Sequence, residues 1–248
     1  MIYQAHRGVS TECPENTMPA FQAAFDQGYK IIEMDPAFTA DGKCVLFHDK
    51  KIGRVCPAAT DPERLVAEMT WEELAALDVG QYMGQQFRGT RVPLLEEVLA
   101  YAAEKQLHVK LDNKFEKFTP EQKEIFFAIV EKSGADGGFT CAKPENISLV
   151  AERFPNATIH YDGYVDEETL QEVKSRLKNN PLVIWLPLPS PLTSWVKVPL
   201  ATPELCRTAR QYGRLGLWIL ETREQLAQAK ALHADIIETT GALKPTRA

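Results

Sequence analysis

Five short motifs in the first fifty residues combine side-chain types that metal-assisted hydrolysis of a phosphodiester requires. In chain order they are His6-Arg7-Gly8, Pro14-Glu15-Asn16-Thr17, Glu33-Met34-Asp35, Asp41-Gly42 and His48-Asp49. Carboxylates bind hard divalent cations, an arginine binds phosphate oxygens, and histidines transfer protons near neutral pH. The combination predicts chemistry on a phosphodiester.

The two carboxylates of the third motif predict a metal site. Glu33 and Asp35 are two residues apart in an extended segment, so their side chains point to the same side. Two adjacent carboxylates repel each other unless a cation or a proton lies between them. We expect one hard divalent cation, Ca²⁺ or Mg²⁺ rather than Zn²⁺. The alternative is structural, with one carboxylate capping a loop and the other pairing with a lysine or arginine.

His6 and His48 are the candidate acid–base pair. Hydrolysis of a phosphodiester needs a base to activate the attacking oxygen and an acid to protonate the departing alkoxide, and histidine can do both. The motifs leave open which histidine is the acid. His108, His160 and His233 stand in no comparable motif, and we expect them to be structural, with His160 the one to reconsider.

These side chains need a scaffold that brings them to one place. Eight β-rich runs alternate with helical patterns over 248 residues, which predicts an α/β protein, a (β/α)8 TIM barrel in a single domain spanning 1–248. The strands are predicted at 2–5, 30–35, 107–111, 138–140, 158–161, 182–186, 215–220 and 235–238. The helices between them are predicted at 17–27, 94–106, 120–133, 144–154, 167–177, 202–212 and 222–232.

Two segments interrupt the alternation. After a turn at Asp41-Gly42, residues from about 50 to 90 form an insertion after the second strand, with one short helix predicted at 70–77. A segment at 187–199 contains four prolines, which exclude regular structure there. Active sites of such barrels lie at the carboxyl ends of the strands, where the polar candidates fall.

The motifs resemble those of the glycerophosphodiester phosphodiesterase family, which typically reads H-R-G, P-E-N-T, E-x-D, D-G and H-D in this order. The resemblance is strong as far as Lys114 and weak beyond it. It implies metal-dependent hydrolysis of a glycerophosphodiester to an alcohol and sn-glycerol 3-phosphate. The mechanism that the resemblance implies uses the substrate's own 2-hydroxyl as the nucleophile and passes through a cyclic phosphate, which water then opens.

The resemblance also implies roles for individual residues. Metal ligands would be Glu33, Asp35 and Asp112, where Asp112-Asn113-Lys114 replaces the Glu-x-Lys of the family. By analogy His6 is the base and His48 the acid, although the reverse assignment stays open. Phosphate and substrate contacts would come from Arg7, Lys114 and Trp218. We expect supporting roles for three further residues, Glu15, Asn16 and Asp49.

Composition restricts the partners. A net charge of −6 without a basic stripe argues against nucleic-acid binding, and no run of apolar residues is long enough to span a membrane. With no apparent secretory signal and five scattered cysteines expected to be free thiols, the simplest interpretation is a cytoplasmic protein. The number of subunits is left open, a homo-oligomer included.

Two other functions compete with this interpretation. One is a related phosphodiesterase of the lysophospholipase D or sphingomyelinase D type, which needs an apolar mouth, and the 187–199 loop with Trp195 is its candidate. The other is a non-catalytic barrel that binds phosphodiesters. It is motivated by Asp112 and by the ends of the strands predicted at 215–220 and 235–238, which depart from the family pattern. The presence of both His6 and His48 argues against the non-catalytic barrel, because binding alone needs neither.

Overall fold

A closed barrel of eight parallel strands forms the centre of the computed structural model, which describes residues 1–246. The strands of this part of the chain are β1 (Ile2–Ala5), β2 (Ile31–Met34), β3 (Pro36–Phe38), β4 (Cys44–Leu46), β5 (His108–Leu111), β6 (Gly137–Cys141), β7 (Thr158–Tyr161), β8 (Leu182–Pro187), β9 (Arg214–Trp218) and β10 (Ile236–Thr239). The barrel order is β1-β10-β9-β8-β7-β6-β5-β2, and β2 pairs with β1 to close it. The predicted (β/α)8 fold is confirmed. Residues 247 and 248 of the predicted domain lie outside the described part.

Helices cover the outside of the barrel. They are α1 (Met18–Asp26), α2 (Trp71–Ala75), α3 (Leu95–Lys105), α4 (Pro120–Ser133), α5 (Pro144–Arg153), α6 (Glu167–Arg176), α7 (Pro203–Tyr212) and α8 (Arg223–Ala231). Thr119 and Thr202 cap α4 and α7 by accepting hydrogen bonds from backbone amides, as expected for a hydroxyl before a proline. Thr17 precedes α1 but donates instead to the carbonyl of Pro14, so its hydroxyl fixes the preceding loop.

The segment between β2 and α3 forms a layer of its own at the carboxyl end of β2. β3 and β4 pair as an antiparallel hairpin, and α2 begins at Thr70, which forms a capping box with Glu73. A separate apolar cluster holds the segment together, and it includes Val45, Phe47, Ile52, Val66, Met69 and Leu74. The structure confirms the short helix predicted at 70–77, which corresponds to α2.

The barrel interior is only partly apolar. The main core lies between the strands and the outer helices, whereas a small cluster of Ile31, Val183, Trp185 and Ile236 fills the inside of the barrel. Buried polar residues surround this inner cluster, namely Gln4, Glu33, Lys110, His160 and Glu238. Burying so many polar groups is costly unless they are paired, which directs attention to their partners.

Three smaller predictions also concern the fold. The proline-rich segment after β8 contains one short 3-10 turn at Pro191–Thr193, and its Trp195 is 72% exposed. All five cysteines are buried and unpaired, which confirms the prediction of free thiols. Among the helices of residues 1–246, none combines the length and the apolar character needed to cross a bilayer.

Candidate active site

Three carboxylates meet at the carboxyl ends of two neighbouring barrel strands. Glu33 and Asp35 lie at the end of β2, and Asp112 directly follows β5, which pairs with β2 in parallel. One oxygen from each of the three side chains lies within 4.8 Å of the others. Glu33 and Asp35 are almost completely buried. The structure thus brings the three predicted metal ligands together.

The charges of this cluster are only partly balanced within the protein. Burial and the neighbouring Asp35 raise the pKa of Glu33 well above its ordinary value. The same two causes raise the pKa of Asp112 to about 6. The pKa of Asp35 is lowered, because Arg7, His48 and Lys114 together outweigh its burial. Three hard oxygen donors that repel one another fit a divalent cation of the Ca²⁺ or Mg²⁺ kind.

The backbone of the first motif places His6 and Arg7 over this cluster. Arg7 and Gly8 both have positive φ, at 57° and 78°, and a Cβ atom on Gly8 would come within 2.6 Å of Ala20. Glycine is therefore required at that position. The turn lets the backbone amide of Arg7 donate to Glu33 Oε2 at 2.9 Å. It also brings His6 Nε2 to 4.0 Å from the same oxygen.

Arg7 and Asn16 fix the position of Asp35. The guanidinium of Arg7 lies 3.3 Å from Asp35 Oδ2 through Nε and 3.1 Å from Glu15 through Nη1. The amide of Asn16 donates to Asp35 Oδ2 at 2.8 Å and accepts from the Asp35 backbone at 3.2 Å. Asn16 thus supports the carboxylate itself, and Arg7 compensates its charge.

His48 approaches the cluster from the loop after β4. Its Nδ1 lies 2.7 Å from Asp49 Oδ1, which fixes the orientation of the imidazole. Arg54 binds the other oxygen of Asp49 and both oxygens of Glu15. Lys114 donates to the His48 carbonyl at 2.9 Å and lies 3.5 Å from Asp35 Oδ1.

Burial shifts the titration of both histidines towards the neutral form. Burial lowers the pKa of His6 to about 4, although Glu238 partly opposes this effect. Burial also lowers the pKa of His48, with Asp35 opposing. A neutral imidazole accepts a proton readily, so either ring is chemically able to act first as a base.

Three charged residues next to the site are not among the predicted site residues, namely Arg54, Lys110 and Glu238. Arg54 connects the His48–Asp49 pair to Glu15, a contact that its position in the sequence does not reveal. Lys110 and Glu238 form a buried ion pair of 2.9 Å inside the barrel. The sequence signal that could have identified Glu238 is a single carboxylate that follows two isoleucines in β10.

Trp218 is the one predicted site residue that the structure keeps apart from the charged cluster. It ends β9, three strands away from β2 around the barrel, and it packs on the inner apolar cluster. Its ring lies 6.2 Å from that of the exposed Trp195. The mouth of the barrel therefore has a charged side and an aromatic side.

Fold and site together define a class of protein, a (β/α)8 barrel whose strand ends carry a carboxylate cluster and two histidines. A sequence model of the glycerophosphoryl diester phosphodiesterase family matches residues 6–217, so the chain belongs to this family. The family resemblance of the motifs is thereby confirmed.

The chain spans about half or less of the length of the curated relatives that it matches. A glycerophosphodiester phosphodiesterase of Caldanaerobacter subterraneus is 39% identical over 110 residues, which cover 44% of this chain and 44% of that protein. Human glycerophosphodiester phosphodiesterase 1 is 32% identical over 112 residues, which cover 44% of this chain and 33% of that protein.

Solved structures share the fold over nearly the whole chain. An Oleispira antarctica phosphodiesterase in complex with the product sn-glycerol-3-phosphate has a TM-score of 0.78 at 19% identity, covering 98% of this chain and 94% of that chain. A glycerophosphodiester phosphodiesterase from Thermotoga maritima has a TM-score of 0.68 at 20% identity, covering 98% and 95%.

Proposed function

We propose that the chain is a metal-dependent enzyme that hydrolyses glycerophosphodiesters to an alcohol and sn-glycerol 3-phosphate. The observation that carries the proposal is the convergence of three carboxylates and two histidines at the carboxyl end of a barrel from this family. The product bound to the Oleispira antarctica protein, sn-glycerol-3-phosphate, agrees with this reaction. We assign the activity to residues 1–248 as one domain.

Glu33, Asp35 and Asp112 are the proposed ligands of one divalent metal ion, Ca²⁺ or Mg²⁺. Their mutual repulsion supports this assignment, because a bound cation would remove it. When bound, the ion would neutralise phosphate charge and lower the pKa of the nucleophile. Asp112 is shorter than a glutamate by one methylene, and its position among the other two carboxylates supports its inclusion.

His6 and His48 are proposed to transfer the two protons of the reaction. His6 accepts the proton of the attacking oxygen, a water or the substrate's 2-hydroxyl, as that oxygen bonds to phosphorus. The bond from phosphorus to the leaving alcohol breaks, and its oxygen takes a proton from His48, which enters this step as the imidazolium that Asp49 stabilises. An attack by the 2-hydroxyl gives a cyclic phosphate that water then opens. Exchanged roles for the two histidines remain the alternative.

Arg7 and Lys114 are proposed to hold the phosphate beside the carboxylates. Both side chains already lie near Asp35, so a phosphate drawn to the metal ligands meets two cationic groups. Trp218 is proposed to contact the carbon skeleton of the substrate on the opposite side of the mouth.

The buried free cysteines support a reducing compartment, and we propose the cytoplasm.

A second candidate substrate class is a lysophospholipid or a sphingomyelin-type diester. The observation in its favour is a group of exposed apolar side chains on two adjacent loops at the barrel mouth, namely Tyr164, Leu192, Trp195 and Leu200. A hydrocarbon chain would cover these side chains, whereas glycerol is too small and polar to do so.

Release of glycerol 3-phosphate from glycerophosphocholine and glycerophosphoethanolamine tests the proposal. We expect turnover that a chelator abolishes and that Ca²⁺ or Mg²⁺ restores. A parallel assay with lysophosphatidylcholine separates the two substrate classes. Absence of turnover on every diester, with metal present, would contradict an enzymatic role.

A further inference from the structure

Glu238 lies inside the barrel directly beneath the proposed catalytic histidine. Its Oε2 atom accepts a hydrogen bond from Lys110 Nζ at 2.9 Å and another from the side-chain amide of Gln4. Its Oε1 atom lies 3.8 Å from His6 Nε2.

The barrel register fixes this arrangement. β10 pairs with β1 so that Glu238 stands opposite Gln4, and the His6 amide donates to the carbonyl of Thr239 at 2.9 Å. Lys110 is held from the other side, with its Nζ 4.0 Å above the ring of Trp185. The carboxylate is therefore rigid relative to His6.

The burial of this ion pair calls for an explanation other than stability. Lys110 and Glu238 are both buried, and removing two charges from water often costs as much as their attraction returns. An apolar pair would fill the same space within the inner cluster. A charge retained next to the reaction site indicates a role in the reaction.

Glu238 differs from the other carboxylate near His6. Glu33 is also 4.0 Å from His6 Nε2, but it accepts the Arg7 amide and belongs to the proposed metal ligands. Its charge is shared with that site. Glu238 is not one of the proposed metal ligands, although its charge also raises the pKa of Glu33. Its Oε2 is paired with Lys110, and its Oε1 is the oxygen that faces His6.

On the basis of the proposed function, we propose that Glu238 is a positioning residue that orients the His6 ring and stabilises the positive charge that the ring acquires on taking a proton. The gap of 3.8 Å exceeds a hydrogen bond by about 1 Å, and such contacts shorten when substrate binds. Lys110 and Gln4 act through Glu238 by fixing its position.

The paired variant Lys110→Met/Glu238→Gln tests this role without leaving a buried charge alone. Both substitutions nearly preserve side-chain size, and the amide introduced at position 238 is uncharged while its oxygen still accepts from Gln4. We expect kcat for glycerophosphocholine to fall roughly 10- to 100-fold, with KM within about threefold of wild type and an unchanged melting temperature. His108→Gln, two residues away on β5, is the matched control and should keep the wild-type kcat.

A double-mutant cycle with His6 distinguishes positioning from general support of the fold. The substrate is glycerol phosphate esterified to p-nitrophenol, whose leaving group departs without protonation. In a His6→Gln background, adding the paired variant should change kcat less than twofold. An equal decrease in both backgrounds, or wild-type kcat in the paired variant alone, would overturn the inference. Inactive wild-type protein would instead contradict the proposed function.

Discussion

The two ends of the barrel interior handle buried polar groups in opposite ways. At the carboxyl end, one oxygen from each of Glu33, Asp35 and Asp112 lies within 4.8 Å of the others. Neighbouring cations lower the pKa of Asp35, but the pKa values of Glu33 and Asp112 stay raised, so the repulsion is only partly offset. Towards the amino end, His160 and His108 form a continuous hydrogen-bonded chain. Trp185 Nε1 lies 3.0 Å from His160 Nδ1, the two Nε2 atoms are 3.2 Å apart, and His108 Nδ1 lies 3.0 Å from an Asp136 oxygen.

The hydrogen bonds that link Trp185, His160, His108 and Asp136 allow one consistent placement of the ring protons. An indole nitrogen only donates, so His160 Nδ1 accepts and its Nε2 carries the proton. His108 Nε2 then accepts, and its Nδ1 donates to Asp136. Every ring nitrogen has a partner. The comparison shows that the partners of a buried histidine indicate its role. His108 and His160 have hydrogen-bond partners at every ring nitrogen, which is typical of structural residues, whereas groups without such partners at the carboxyl end are available for chemistry.

The largest expected effect comes from substituting the proposed catalytic histidines. His6→Ala or His48→Ala should lower kcat for a glycerophosphodiester by roughly 10²- to 10⁴-fold, because each removes one proton transfer. His160→Gln should leave kcat within about threefold of wild type. Steady-state assays of the three variants, with circular dichroism to confirm folding, test the contrast. A comparable loss in His160→Gln would erase the distinction between the two ends.

The second largest expected effect is on the stabilisation of the protein by a bound divalent cation. With a divalent cation at a hundredfold excess over its Kd, wild-type protein should gain about 2.7 kcal/mol of stability. Asp112→Asn should reduce this gain, whereas His108→Gln should retain it. Thermal melts across a Ca²⁺ or Mg²⁺ titration measure both. An identical titration for Asp112→Asn would remove this residue from the ligand set.

Arg54 should have a smaller effect on turnover. Its side chain joins Asp49 to Glu15, so Arg54→Met frees the partner of the His48 ring while leaving the ring in place. We expect kcat to fall about tenfold with little change in melting temperature, since the side chain is half exposed. Arg153→Met removes two ion pairs on the outer helices and serves as the control. Wild-type kcat in Arg54→Met would show that Asp49 orients His48 unaided.

The smallest expected effect is on stability at acid pH. Burial lowers the pKa of His160 well below its ordinary value, so the unfolded chain takes up this proton first. The contribution of His160 is present above its unfolded pKa of about 6.5 and is lost below it, by at most about 2 kcal/mol between pH 7 and pH 5. His160→Gln should lose less stability over this range in urea titrations. If the free energy of unfolding changed with pH equally in the variant and the wild type, the lowered pKa of His160 would be contradicted.

Sequence patterns were sufficient for the parts of the fold that local interactions decide. The alternation of strands and helices predicted the barrel, and the spacing of Glu33 and Asp35 placed both carboxylates on one side of β2. These features depend on neighbours within a few residues, so they can be read from the chain itself.

The partners across the barrel were decided by the tertiary structure. The contact of His6 with Glu238 joins the first and last strands, and the Lys110–Glu238 pair joins residues 128 positions apart. Arg54 meets Glu15 only because the segment after β4 folds back over the first loop. Such pairings depend on strand register and barrel closure. The sequence determined which residue types are present at the strand ends, and only closure of the barrel determined which of them touch.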